Sequence, residues 1–82
     1  RLDGLGVSAW EVASILLLIE TPLDEDLLAS LSDLRKERFR RTLERLEGEG
    51  LIVRTAATGR SLVSLAHESV REAVRRRYAE TL

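Results

Sequence analysis

The side chains able to do chemistry in this chain are mostly charged, thirteen basic against fourteen acidic. Twelve Arg stand beside one Lys and one His, with no Cys and no Met. There is no G-x-x-x-x-G-K-[S/T] phosphate loop and no nucleophile–base pairing, and a single His with these neighbours cannot complete a metal site. No catalytic and no metal-binding residue is therefore expected, and the chain does not read as an enzyme. What remains is binding, and the cations and the His mark three places for it.

The first place is residues 34–47. Phe39, Leu43 and Leu46 recur at i, i+4 and i+7 and define the apolar face of a helix. The opposite face holds Glu37, Arg38, Arg40, Arg41, Glu44 and Arg45. Arg38, Arg41 and Arg45 are the candidates for contacts with phosphates or guanine edges. Glu37 and Glu44 sit near the middle of that face and would oppose phosphate, and no Asn, Gln, Ser or Thr complements a base. Glu37 with Arg41 and Arg40 with Glu44 form i, i+4 pairs that suit a solvated face laced with ion pairs. DNA binding is accordingly the alternative reading of this helix rather than the first.

The second place is a short hairpin, where Arg54 and Arg60 flank Ala56, Ala57, Thr58 and Gly59. Arg at both shoulders can brush a phosphate backbone, but so small and uncharged a tip suits two solvent-facing side chains equally well. The third is His67, between a strand and the final helix. Free amides at a helix start beside an imidazole can hold an anion such as a phosphate. On the residues alone, a His that helps to cap the helix is the simpler reading.

Positioning these groups requires a scaffold, and the pattern supplies one. Residues 1–7 read as a lead-in and residues 8–82 as one domain. The chain has 44% hydrophobic residues and a net charge of −1, too apolar for disorder. A Ser8-x-x-Glu11 capping box opens a first helix over 8–20, apolar nearly all round from Val12 to Ile19, which Thr21-Pro22 ends. Asp24, Glu25 and Asp26 start a second helix whose buried stripe is Leu27, Leu28 and Leu31. Ser32-Asp33 caps the third helix, and Gly48 terminates it in a left-handed conformation. Strands at 51–55 and 60–65 form a two-stranded wing, and a helix over 68–81 follows. The expected fold is mainly α, a winged helix-turn-helix with a three-helix core, a two-stranded wing and a C-terminal helix.

The absence of Met and the opening on Arg1 suggest a piece of a longer protein. No apolar run approaches a membrane span, no signal peptide is visible, and the lack of Cys suits a reducing compartment; a cytoplasmic location is expected, with no membrane partner. The arginine-heavy usage suggests a bacterial genome rich in G and C.

The segment from Leu62 through Ala66-His67-Glu68 to Val74 resembles the end of the winged helix found in the signal-transduction ATPases with numerous domains, the STAND class, in its bacterial form. There a hydrophobic strand runs into a small residue, His, an acidic residue and an amphipathic helix. The resemblance implies a regulatory module that packs on the nucleotide-binding domain of the same chain and senses ADP against ATP. By that resemblance His67 contacts the nucleotide phosphate, Glu68 supports it, ADP or ATP is the cofactor of the parent protein, and effector or sensor domains are further partners.

Overall fold

The computed structural model of the chain describes residues 6–81. Most of the expected lead-in lies outside these residues. Helix α1 spans Gly6–Leu18, strand β1 Leu23–Asp24, helix α2 Glu25–Leu31 and helix α3 Lys36–Gly48. Strands β2, Ile52–Ala57, and β3, Arg60–Leu65, precede helix α4, Glu68–Thr81.

The apolar run of α1 makes it the centre of the molecule. Ala9, Val12, Ala13, Leu16 and Leu17 are buried in one cluster with Leu28 of α2, Phe39, Leu43 and Leu46 of α3, Ile52, Val63 and Leu65 of the sheet, and Val74 of α4. Its all-round hydrophobicity is not fully used, since Val7 and Leu18 are exposed. Arg71 of α4 donates to the carbonyl of Leu17 at 3.4 Å, placing a cation where the helix dipole favours one. The Arg77 guanidinium lies 5.7 Å from the centre of the Trp10 ring and ties the far end of α4 to the start of α1.

The sheet has three strands, not two, in the order β1-β3-β2. Leu23 pairs with Val63 and Asp24 with Leu62 in the added antiparallel ladder. Leu23 is buried, so this short strand closes one side of the core. Between β2 and β3 the ladder runs from Ile52↔Leu65 to Ala57↔Arg60. The turn is therefore Thr58-Gly59, with φ of +47° and +75°. Two positive φ values give the hairpin turn whose twist matches the strands. Gly59 adopts its value freely, whereas the β-branched Thr58 is strained there.

Local expectations failed where tertiary contacts outbid them. Ser8 and Glu11 do not form a capping box, because α1 already begins at Gly6. Glu11 Oε2 accepts instead from the backbone N–H of Asp33 at 2.8 Å and fixes the turn before α3. Ser32 closes α2, donating its Oγ to the Ala29 carbonyl, and α3 starts at Lys36. Leu27 and Leu31 are each 49% exposed, since a seven-residue helix turns only Leu28 fully inward. The left-handed residue after α3 is Gly50, φ +76°, and not Gly48. Asp24 stands at the start of α2 as its N-cap, its Oδ1 accepting from Asp26 N–H at 2.8 Å.

With these elements and this topology the fold is a winged helix, mainly helical with a three-stranded antiparallel sheet. The core assignment is checked by two neighbouring leucines. Leu16→Ala should cost about 2–5 kcal/mol in denaturant unfolding, while Leu18→Ala, two residues on, should cost less than about 0.5 kcal/mol. Equal effects would contradict the packing described.

Candidate nucleic-acid interface

Helix α3 divides its surface sharply. Phe39, Thr42, Leu43 and Leu46 are buried, and at about 100° per residue the diametrically opposite line runs through Glu37, Arg41, Glu44 and Gly48. All four are exposed. On either side of this ridge lie cations. Arg38 and Arg45, seven residues apart, occupy the flank toward α1, where Arg38 Nη1 reaches the Ser8 hydroxyl at 3.5 Å. Lys36 and Arg40 occupy the flank toward α2 and rim a cleft of about 370 Å³ with Glu25, Asp26 and Ser30, floored by Ala29, Leu34 and Phe39.

The expected i, i+4 pairings on this face give way to a bridge from Arg40 to Glu37 at 3.3 Å. It links i with i+3, both ends being well exposed at 63% and 69%. The helix thus presents a ridge of alternating sign, −, + and −, between two basic flanks. Lys36 of this arrangement, and Arg35 immediately before the helix, were missed from the sequence. An expected start at residue 34 hid the adjacent Arg-Lys pair in a first turn.

The two wing arginines have different fates. Arg60, beside the turn, is exposed and lies 3.6 Å from Asp24 Oδ2. Arg54 does not face solvent as a phosphate contact would. Its Nη2 and Nε both donate to Glu47 Oε1, at 2.8 and 3.1 Å, and its Nη1 lies 3.5 Å from Glu25 Oε1. One guanidinium thereby joins β2 to the last turn of α3 and the first turn of α2. The Glu47 hydrogen bond holds the Arg54 pKa above its already high ordinary value, against a smaller opposing effect of burial, so its charge is permanent. The side chain is only 26% exposed, and a bonded fork in such surroundings is geometrically selective.

His67 is exposed and directly precedes α4; its carbonyl accepts the first bond of that helix from Arg71 N–H at 3.0 Å. Glu68 stands in the first turn, where a carboxylate suits the dipole. Among the described residues no group of three or more His, Cys, Asp and Glu could hold a metal ion. No helix among them is long and apolar enough to cross a membrane.

No protein-family model matches the chain, and no curated protein matches it. Solved structures do. A MarR family transcriptional regulator from Silicibacter pomeroyi superposes with a TM-score of 0.79 at 26% identity, over 99% of this chain and 57% of that one. A probable transcriptional regulator from Pseudomonas aeruginosa gives 0.70 at 24% identity, over 99% and 69%. A protein from Archaeoglobus fulgidus gives 0.77 at 9% identity, over 90% and 84%, and speaks for the fold alone. The chain spans little more than half the length of the Silicibacter regulator it matches.

These neighbours overturn the resemblance to the STAND ATPases, and with it a regulatory module that packs on a nucleotide-binding core and senses nucleotide through His67 and Glu68. The physical reason lies in the junction itself. A strand that hands over to a helix favours a polar residue at the cap and an acidic one in the first turn. Ala66-His67-Glu68 meets that general requirement, so the three residues do not single out one family.

The clamp can be tested apart from any ligand. Arg54→Met should lower stability by about 1–2 kcal/mol, a charged hydrogen bond discounted for partial exposure. Arg60→Ala should change it by less than about 1 kcal/mol. Denaturant midpoints of the two variants check the assignment; a neutral Arg54→Met would refute it.

Proposed function

We propose that the chain is the DNA-binding winged helix of a transcriptional regulator, with α3 lying in the major groove and the β2–β3 wing alongside on the backbone. The observation that carries this reading is the arrangement of charge on α3. A helix with its side chains is about 10–12 Å across, and the major groove is about 12 Å wide. A docked helix therefore turns its ridge to the base edges and its flanks to the two phosphate walls. Lys36 and Arg40 on one flank, with Arg38 and Arg45 on the other, provide cations for both.

This arrangement answers the objection that Glu37 and Glu44 repel phosphate. That objection treats the whole outward face as meeting the backbone, whereas the ridge carrying both carboxylates meets the bases. The overall charge of −1 is no obstacle either. From Arg35 to Arg45 six cations stand against two carboxylates, and a regional basic excess is what backbone contact needs. The exposed Arg40–Glu37 bond uses only the Nη2 group of the guanidinium, and the remaining N–H donors are left for a phosphate. Arg60, exposed beside the wing turn, is the wing's contact, and Arg54 sets the wing's position without touching DNA. The name carried by the Silicibacter neighbour supports the regulatory role, and a cytoplasmic location is part of the same proposal.

The test is the salt dependence of duplex binding. Four to five phosphate contacts give a slope of log K against log salt concentration of about −3.6 to −4.5. Arg38→Ala and Arg45→Ala should each reduce its magnitude by about 0.9, while Arg76→Ala, on the exposed face of α4, should leave it unchanged. Slopes that respond equally to all three, or to none, would contradict the docking proposed.

A further inference from the structure

Resting on the DNA-binding reading, we infer that α3 selects G·C pairs, with Arg41 reading a guanine and Glu44 reading a cytosine beside it. The residue types at the ridge decide this. Arg41 and Glu44 are exposed, and neither has an ion-pair partner among the described residues. Glu37, the third ridge side chain, is engaged by Arg40. The one hydroxyl on the helix, Thr42, is buried on the far side, and no Asn or Gln occurs anywhere in the chain. The ridge thus offers the groove one five-donor fork and one pure acceptor.

Each of these groups matches one base edge and clashes with the others. Guanine presents two acceptors, N7 and O6, to which a guanidinium donates in pairs. Thymine offers a single acceptor beside a methyl group, and cytosine offers a donor that opposes the guanidinium. A carboxylate needs a donor, and only the amino groups of cytosine and adenine provide one. On adenine the amino group stands between its own N7 and the O4 of the paired thymine, two acceptors that repel a carboxylate. On cytosine it has one acceptor neighbour, the guanine O6 across the pair. Glu44 is therefore held to cytosine by both attraction and repulsion.

The spacing allows both readings at once. Residues three apart are separated by about 4.5 Å along a helix, and successive base pairs by about 3.4 Å. Arg41 and Glu44 consequently address neighbouring pairs. Glu44 serves a second purpose, since a carboxylate on the ridge penalises any sequence that lacks the donor. That converts an affinity dominated by phosphate contacts into a discrimination between sequences.

Selection from a randomised duplex pool at about 50 mM salt, followed by the same selection with two variants, tests the inference. The unaltered chain should enrich a core containing adjacent G·C pairs. Glu44→Gln should move the preference at one position from C to A, because Gln pairs with the adenine edge. Arg41→Ala should abolish the preference for G at the neighbouring position, a roughly five- to 150-fold loss of discrimination. Circular dichroism identifies any variant that fails to fold; Glu44→Ala then takes the place of Glu44→Gln and should lose the preference for C without gaining one for A. An enriched core of A·T pairs, or a Glu44 variant that leaves every position unchanged, overturns the inference and leaves the DNA-binding reading standing. If the unaltered chain retains no duplex, both fall together.

Discussion

Burial of one face of α3 constrains everything else that this molecule presents. Phe39, Leu43 and Leu46 are 5%, 0% and 0% exposed, and removing each from water is worth about 1.5–3 kcal/mol. Together they approach the whole stability of a small domain, about 5–15 kcal/mol. A rotation of α3 by one residue about its axis would move this line of side chains through about 100° and expose it. The helix has a single acceptable orientation on α1 and the sheet. The ridge Glu37, Arg41 and Glu44 points outward because the opposite ridge cannot.

The wing is oriented by a different force. Strand β2 carries few buried residues, Ile52 being the one fully inside, so apolar packing alone leaves its angle to α3 weakly specified. Arg54 supplies the missing constraint by binding Glu47 and Glu25 simultaneously. Beyond its modest contribution to stability, a fork bonded to two helices restricts where the wing can go. Thr58-Gly59 then sets the hairpin twist, and Arg60 is carried to an exposed position beside the turn. Core burial and a polar clamp thus fix the helix and the wing by separate means.

Much of the fold was legible because its main signals are periodic. The apolar run of α1 and the i, i+4, i+7 pattern of α3 each repeat often enough to define a face. Strand β1 has two residues and no period, and its pairing with β3 is a long-range event that no local pattern reveals. The capping box at Ser8 and Glu11 failed for a related reason. A local motif competes with partners from elsewhere in the chain, and here Asp33 took Glu11. Arg38, Arg41 and Arg45 were recognisable as an outward cluster. Their significance was not, because a count of charges on a face does not separate its ridge from its flanks. Arg54 looked like a wing cation and proved to be a clamp, since nothing in the sequence places Glu25 beside Glu47. The junction at Ala66-His67-Glu68 misled by meeting the general needs of a helix start.

The central claim is that the outward face of α3 is the surface that meets DNA. Titration of the isotope-labelled chain with a short duplex, followed by amide and guanidinium NMR shifts, tests it most directly. The account predicts that the largest changes fall on residues 36–48 and on the wing near Arg60, with α4 almost unaffected. Changes centred on α4, or on the junction at His67, with α3 silent, would contradict it.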